Sequence, residues 1–141
     1  MHRIDYIWVN MQLNKNMTVP DNLKYTSEHE WIRVEGEEVV VGVTDFAQGE
    51  LGDVVFLEIE TEGETLAMGD TFGTIEAVKT VSDLYMPVDG EVVAVNAALE
   101  DTPELVNSDP FGEGWMIRIK YADASQLEGL LTPEAYSELI G

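Results

Sequence analysis

Short apolar runs separated by glycine-containing turns dominate the chain from Leu23 onward. The runs are rich in Val, Ile, Thr and aromatic residues, which favour the half-buried surface of a β-sheet. Many short strands at close spacing are typical of a β-sandwich or a β-barrel. The pattern therefore predicts a mainly β domain, with strands at residues 30–34, 39–43, 54–59, 91–95 and 114–121.

The segment 73–90 contains two further runs of this kind on either side of one lysine, Lys79. The polar break at Lys79 predicts the turn of a β-hairpin, and Asp89-Gly90 predicts a second tight turn after it. Lys79 is the only Lys or Arg in residues 34–117, a stretch that holds 20 Asp and Glu residues. The sequence therefore predicts an isolated amine at the tip of a rigid hairpin.

A threonine or serine in front of an acidic first turn marks the start of four short helices. At one of them Glu128 follows Ser125 by three residues, which is the capping-box pattern. Two of the helices close the chain, and Tyr136, Leu139 and Ile140 form the predicted apolar side of the last one. The four predicted cap residues are Thr44, Thr102, Ser125 and Thr132.

Residues 1–16 show no regular hydrophobic period and are predicted to be an extension outside the fold, which leaves 17–141 as the folded domain. Alternatively, residues 4–9 add an edge strand to a sheet. Asp5 interrupts the apolar residues near the start and no small-residue cleavage site follows, so a signal peptide is not expected. No apolar run reaches the roughly 18–20 residues of a transmembrane helix. We therefore expect one domain in the cytoplasm.

The 141 residues carry a formal net charge of -21, and the sequence pI is about 4.1. Hydrophobic residues make up 45% of the chain, which is enough to form a core. The charge argues against nucleic acids and anionic membranes, because both are bound through clustered Lys and Arg. Protein partners would present basic patches to this surface. Alternatively, the acidic surface only keeps the protein in solution.

The side chains that most enzymes use are scarce. The absence of cysteine excludes disulfides, zinc–thiolate sites, iron–sulfur clusters and cysteine nucleophiles. The chain has two histidines, His2 and His29, and no HExxH, P-loop, GxGxxG or GxSxG motif. Its 28 carboxylates are scattered, which favours a solvated face over an acid–base pair. His29 could bind a metal, but a hydrogen-bonded histidine at a strand start is the more frequent case, so we expect neither catalysis nor a metal.

Lys79 has the features that a covalent cofactor carrier requires. A swinging arm needs a fixed anchor, and tethering replaces free diffusion by an effective concentration in roughly the millimolar range. A hairpin tip provides this anchor, since its strands are held in a sheet while the side chain projects into water. The alternative is an ordinary solvated lysine, which the spacing alone does not exclude.

The segment Glu76-Ala-Val-Lys79-Thr-Val-Ser-Asp-Leu-Tyr-Met-Pro87 resembles the lipoyl-lysine hairpin of the glycine cleavage system H proteins. Biotin carriers share the hairpin but place Met on both sides of the lysine, where this chain has Val78 and Thr80. Further segments resemble motifs of the H-protein family and follow in the family's order. These segments are 25–31, 42–48, 51–56, 105–110 and 114–117.

The resemblance implies a lipoyl-domain-like barrel-sandwich hybrid with lipoate attached covalently to Lys79. It implies a monomeric, non-catalytic carrier for glycine catabolism and one-carbon metabolism, which lipoylating enzymes modify. The implied partners are a pyridoxal-phosphate glycine decarboxylase, a tetrahydrofolate-dependent aminomethyltransferase and an NAD-linked dihydrolipoyl dehydrogenase. By family position, Glu28, Glu30 and Asp83 are candidates to hold the loaded arm.

Two other functions stay open at this point. The chain could be a lipoyl relay or donor that serves other lipoylated enzymes outside glycine breakdown. It could also be an unmodified acidic binding module with a carrier-like fold. The first alternative shares a modified Lys79 with the glycine cleavage carrier, whereas the second does not.

Overall fold

The computed structural model describes residues 18–141. The extension predicted for residues 1–16 and the alternative edge strand at residues 4–9 lie outside the described residues. Across the described part of the chain, no helix is both long and apolar enough to cross a membrane.

Residues 18–141 form two antiparallel sheets, and the predicted mainly β class is confirmed. The strands are β1 (Lys24–Tyr25), β2 (Glu30–Glu35), β3 (Glu38–Val43), β4 (Val54–Glu58), β5 (Thr65–Leu66), β6 (Thr71–Ala77), β7 (Val81–Tyr85), β8 (Gly90–Val95) and β9 (Ile117–Tyr121). The larger sheet has the order β1-β2-β3-β9-β8-β5, and the smaller sheet has the order β4-β6-β7. The hairpin that carries Lys79 therefore belongs to the smaller sheet, where β7 is an edge strand.

The helices are short, and two of their predicted caps are confirmed. The Thr44 hydroxyl accepts a hydrogen bond from the Ala47 N–H, and the Thr132 hydroxyl accepts one from the Ala135 N–H. The helices are α1 (Asp45–Leu51), α2 (Ala98–Asp101), α3 (Leu105–Ser108), the 3-10 helix η1 (Ala124–Gly129) and α4 (Pro133–Ile140).

The other two predicted cap residues are wrong, although a short helix forms close to each of them. Thr102 ends α2 instead of capping the next helix, and α3 begins only at Leu105. Ser125 does not cap an α-helix either, because the Asp123 carboxylate accepts from the Ser125 N–H at 2.9 Å and the helix that follows is 3-10. The chain must be extended again at Leu131, where it pairs with β1, so a longer helix has no room.

The tight turn predicted at Asp89-Gly90 is also displaced. Gly90 is the first residue of β8 rather than a turn residue. A Cβ at this position would lie 2.5 Å from the carbonyl oxygen of Lys120. The glycine is therefore required by the close approach of the β8 and β9 backbones, and not by a turn.

The main core lies between the two sheets. Alternate residues of β3 and β9 point into it, namely Val39, Val41, Ile117 and Ile119, and Ile75 enters from the smaller sheet. All five side chains are almost completely buried. Full burial of such a side chain contributes about 1.5–3 kcal/mol of hydrophobic stabilisation. This core holds the Lys79 hairpin against the larger sheet.

A second buried cluster covers the opposite face of the larger sheet. It includes Trp31, Val40 and Tyr136, and the Tyr136 ring stacks on Tyr25 with ring centroids 4.6 Å apart. Leu139, predicted on the apolar side of α4, is instead 51% exposed. Ile140, four positions after Tyr136, packs against this cluster, so the buried side of α4 runs through Tyr136 and Ile140.

Candidate functional site

Lys79 lies at the tip of the β6–β7 hairpin, as predicted. After an irregularity between Thr71 and Gly73, the two strands pair continuously from Gly73 opposite Leu84 to Glu76 opposite Val81. The Ala77 N–H donates to the Thr80 carbonyl oxygen at 2.8 Å. Lys79 stands beyond this last hydrogen bond of the hairpin, so its side chain is not held in the ladder.

The Lys79 turn is hydrogen-bonded to the backbone just before β4, which in turn is hydrogen-bonded to a side chain of α3. The Val78 N–H donates to the Asp53 carbonyl oxygen at 3.0 Å. Asn107 of α3 holds the residues on both sides of Asp53: its amide donates to the Gly52 carbonyl at 2.8 Å, and its Oδ1 accepts from the Val54 N–H at 2.9 Å. The anchor of Lys79 is therefore rigid, although the lysine itself is exposed.

The ammonium of Lys79 has no carboxylate partner among residues 18–141. The ion pairs in this part of the chain join Arg33 and Arg118 to Glu35 and Glu38 instead. Glu35 and Glu38 belong to the larger sheet. The lysine is therefore neither buried nor ion-paired within the described residues, which leaves its amine accessible to an acylating reagent or enzyme.

Gly52 gives the Lys79 side chain its space. Gly52 has a φ of 79° and a ψ of -159°, a combination that essentially only glycine adopts. A Cβ at Gly52 would lie 3.2 Å from Lys79 Cε and 3.8 Å from Nζ. Any side chain at this position would therefore strain the backbone and also crowd the lysine.

A groove of about 450 Å³ runs beside β7 and reaches Leu51, the neighbour of Gly52. Its floor is apolar and includes Ile75 and Leu84, which also belong to the core. Its polar lining consists of Glu28, His29, Glu50, Ser82 and Asp83. The groove is thus apolar at its base and mostly anionic at its rim, which suits a flexible apolar arm with a cationic end.

Glu30 lines a second groove of about 740 Å³, and the residues common to both grooves are Glu28 and Tyr85. The Glu30 carboxyl group is almost completely buried. It accepts hydrogen bonds from the Tyr85 N–H at 3.0 Å and from the Thr26 hydroxyl at 3.2 Å. Burial raises the pKa of Glu30 to about 8, although these two hydrogen bonds act in the opposite direction.

His29 connects the first groove to the second cluster. Its Nδ1 lies 3.0 Å from the Tyr136 hydroxyl, which in turn lies 2.7 Å from the Thr44 hydroxyl. His29 has a left-handed backbone, with a φ of 68°, and its ring packs on Phe46 at a centroid distance of 4.9 Å. Burial lowers the pKa of His29 below its ordinary value, so the imidazole is neutral at physiological pH.

The family model described as "Glycine cleavage H-protein" matches residues 23–141. The chain belongs to this family. It is 61% identical over 124 residues to a glycine cleavage system H protein of Bacteroides thetaiotaomicron, which covers 88% of this chain and 98% of that protein. It is 55% identical over 123 residues to the corresponding protein of Bacillus cereus, with coverages of 87% and 97%.

A solved structure supports the same assignment. The crystal structure of a glycine cleavage system H protein from Mycobacterium marinum matches with a TM-score of 0.77 at 36% identity, covering 87% of this chain and 99% of that chain. The resemblance and the lipoyl-domain-like barrel-sandwich fold inferred from the sequence are therefore confirmed. As a glycine cleavage H protein, the chain is a lipoyl carrier of the glycine cleavage system.

The structure separates the three candidate arm residues. Glu28 and Asp83 line the 450 Å³ groove, and Glu30 lines the 740 Å³ groove. Glu28 lines both grooves and so connects them. Sequence reasoning missed the contribution of Gly52 and Asn107 to the lysine turn, next to which both residues lie. Both fall in or beside segments that resemble family motifs, but only the folded chain shows that they meet.

Proposed function

We propose that Lys79 is the residue that carries lipoate, and that the chain shuttles the aminomethyl group of glycine between enzymes without catalysing a reaction itself. The donor is the pyridoxal-phosphate glycine decarboxylase, and the acceptor is the tetrahydrofolate-dependent aminomethyltransferase. Dihydrolipoyl dehydrogenase then accepts the electrons. When bound, lipoate supplies the thiol and disulfide chemistry, and the protein contributes presentation and shielding. The cytoplasmic location and the monomeric state expected from the sequence stay predictions.

The observation that carries the proposal is the state of the Lys79 amine. Lys79 is exposed, and its amine has no carboxylate partner among residues 18–141. Its turn is held by the hydrogen bond from the Val78 N–H to the Asp53 carbonyl, next to the backbone that Asn107 binds. An acylating enzyme can therefore reach the nitrogen without unfolding any strand. Gly52 leaves free space along the lysine stem, so an amide extension on Nζ meets no side chain there.

We further infer that the acidic residues of the two grooves shelter the loaded arm. The nitrogen of an aminomethyl cargo is cationic, and a cation removed from water requires carboxylate or carbonyl partners. Asp83 lies four residues from Lys79 along β7, and Glu28 lines both grooves. Glu30 lines the second groove and, because burial raises its pKa and keeps it protonated, would offer the cation a carboxyl oxygen rather than a negative charge. The apolar floor excludes water from the cargo, which would otherwise be lost by hydrolysis.

This shelter is tested with the double variant Glu30→Gln/Asp83→Asn. The loaded protein should lose its cargo to water faster than the wild type, whereas Glu91→Gln/Glu138→Gln, which changes two carboxylates outside both grooves, should not. If the double variant retains its cargo as long as the wild type, Glu30 and Asp83 do not shelter it.

Lipoylation itself is tested by intact mass spectrometry of protein made in a host able to attach lipoate. The wild type should show one lipoyl increment, and Lys79→Arg should show none, because arginine keeps the positive charge but offers no acylatable amine. Lys120→Arg is the matched control, since it changes another exposed lysine in a strand and should retain the increment. An increment that persists in Lys79→Arg would place lipoate elsewhere.

A further inference from the structure

The outer face of the smaller sheet exposes apolar side chains next to Lys79. Phe56, Glu76 and Val81 stand opposite one another on β4, β6 and β7, so their side chains share one face of the sheet. Phe56 is 52% exposed and Val81 is 64% exposed, and Val78 in the turn is 71% exposed. Contiguous exposed apolar side chains, as opposed to single ones, are typical of protein interaction sites.

The border of this cluster is acidic. In the next row of the same face, Glu58 and Asp83 flank Thr74, and all of Glu58, Glu76 and Asp83 are exposed. Because β7 is an edge strand, Asp83 stands where this face meets the 450 Å³ groove. Lys79 is the only Lys or Arg in residues 34–117, so no other cation of the hairpin or of β4 offsets these carboxylates. We call the set Phe56, Glu58, Glu76, Val78 and Val81 the acidic docking face.

The apolar surface continues past Phe56 into a groove of about 370 Å³, whose lining includes Ile59 and Leu99. Glu58, Glu60 and Glu100 line the same groove. The groove therefore repeats the chemistry of the docking face, with apolar side chains surrounded by carboxylates. A partner that covers both would present an apolar surface bordered by Lys and Arg side chains.

The acidic docking face lies next to Lys79, and this position indicates which of the enzymes that act on this chain binds it. An enzyme that works on the far end of a lipoyl arm can bind at a distance from the lysine. An enzyme that acylates Lys79 must bring its active site to Nζ itself and so must cover the turn and the residues beside it. Val78 and Val81 lie one and two residues from Lys79, inside this unavoidable footprint.

We propose that the acidic docking face binds the enzyme that acylates Lys79, and that this enzyme meets it with an apolar patch surrounded by basic side chains. The inference rests on the proposed function. In the reaction, Nζ forms an amide bond to the acyl carbon of an activated lipoate, an acyl adenylate or a thioester. The bond from that carbon to the adenylate phosphate or thiol sulfur breaks, and the amine releases one proton.

The test measures kcat/KM for acylation of the unmodified protein by an ATP-dependent lipoate ligase supplied with lipoate, ATP and Mg²⁺. The variant Phe56→Ser/Val81→Thr should lower kcat/KM about tenfold, because exposed apolar anchors at the centre of an interface carry much of its binding energy. Its matched control is Leu139→Ser/Val34→Thr, which changes two exposed apolar residues outside the face, 51% and 42% exposed, and should leave kcat/KM unchanged. Circular dichroism confirms that both variants are folded.

The contribution of the carboxylates to docking is measured separately, through the salt dependence of kcat/KM. Glu58→Gln/Glu76→Gln should lower kcat/KM at low ionic strength and flatten its decrease with added salt, because surface carboxylates steer a basic partner. Glu91→Gln/Glu138→Gln removes the same charge outside the face and should keep the salt dependence of the wild type. Equal salt dependence in both double variants would overturn the assignment of a basic partner to this face.

Three results separate the possible errors. If the wild type is not acylated at all, the proposed function fails together with this inference. If the wild type is acylated at Lys79 but the apolar variant matches its control, only the docking face is refuted. If the apolar variant is acylated normally but supports slower glycine oxidation, or loses a self-association that the wild type shows by sedimentation, another enzyme or a second copy covers the face and the proposal is overturned.

Discussion

The side-chain amide of Asn107 donates to the carbonyl oxygen of Gly52 over 2.8 Å. The Oδ1 atom of Asn107 accepts a hydrogen bond from the Val54 N–H. Asp53 lies between Gly52 and Val54, and its carbonyl oxygen accepts a hydrogen bond from the Val78 N–H. One side chain of α3 thus fixes the backbone on which the lysine turn rests. The turn that carries Lys79 therefore rests on backbone that is held by hydrogen bonds on both sides of Asp53.

Asn107→Ala should loosen this support. The change removes the partners of the Val54 N–H and the Gly52 carbonyl, and each of these partly buried hydrogen bonds contributes about 1 kcal/mol. The free energy of unfolding, measured with urea, should fall by roughly 1–3 kcal/mol. The Val78 amide should also exchange its hydrogen faster. Gln48→Ala removes only one contact of Asn107 and serves as the control with a smaller effect. Unchanged exchange at Val78 in Asn107→Ala would contradict the support role.

Gly52→Ala should affect both stability and acylation. The backbone dihedrals of Gly52 cost about 1–3 kcal/mol in a residue with a Cβ, and the added Cβ would stand 3.2 Å from Lys79 Cε. Gly63→Ala is the matched control, because Gly63 also has a positive φ, 90°, but open space around it. Both variants should unfold at lower urea concentrations, whereas only Gly52→Ala should be lipoylated more slowly. Equal lipoylation rates would show that the lysine does not depend on this space.

Glu30 should make stability depend on pH. Its pKa is raised from an ordinary value of 4.5 to about 8, so the folded protein binds more protons than the unfolded chain between these values. The contribution of Glu30 to the free energy of unfolding therefore falls as the pH rises through this window, since the ionised carboxylate is buried. Glu30→Gln cannot ionise and should gain stability relative to the wild type between pH 5 and pH 8.

The measurement for Glu30 is the difference in urea unfolding between the two proteins at each pH, in which the titration of all shared groups cancels. A difference that stays constant over this range, or that changes in the opposite direction, would be incompatible with a carboxyl group buried in its neutral form.

Tyr136→Phe should cost about 1–3 kcal/mol, because the buried Thr44 hydroxyl and the His29 imidazole lose their common partner. Tyr121→Phe is the control: the Tyr121 hydroxyl donates to the Gly36 carbonyl at 2.7 Å, but at an exposed position where water can replace it. Thermal unfolding of both variants should show the larger decrease in Tm for Tyr136→Phe. An equal or larger decrease for Tyr121→Phe would contradict the predicted contribution of the buried hydrogen bonds.

Local patterns predicted the parts of the fold that local chemistry decides. The Lys79 turn, the β-branched strand around Val41 and the caps at Thr44 and Thr132 all form where the sequence places them. At Ser125 the same kind of pattern failed, because the pairing of Leu131 with Tyr25 stops the helix after one short 3-10 segment. A capping signature predicts only where a helix can begin. Whether the helix continues depends on contacts with residues far away in the sequence, here the pairing of Leu131 with Tyr25.

The candidate site was predictable in its central residue but not in its surroundings. The two strand-like runs around an isolated lysine predicted the exposed hairpin tip, whereas the attachment of a cofactor there was favoured over an ordinary solvated lysine only by the resemblance to a family. Asn107 contributes through hydrogen bonds to Gly52 and Val54, which lie more than 50 residues earlier in the sequence. The local hydrophobic pattern does not predict such long-range contacts. The division of Glu28, Glu30 and Asp83 between two grooves likewise depends on the path of β7 across the sheet.

The most direct test of the carrier function is glycine-dependent reduction of NAD in a mixture of the glycine decarboxylase, the aminomethyltransferase, tetrahydrofolate, dihydrolipoyl dehydrogenase and this protein. Wild type from a lipoylating host should support turnover, and Lys79→Arg from the same host should support none, while Lys120→Arg behaves as the wild type. Turnover with Lys79→Arg equal to that of the wild type would contradict the assignment of the arm to Lys79.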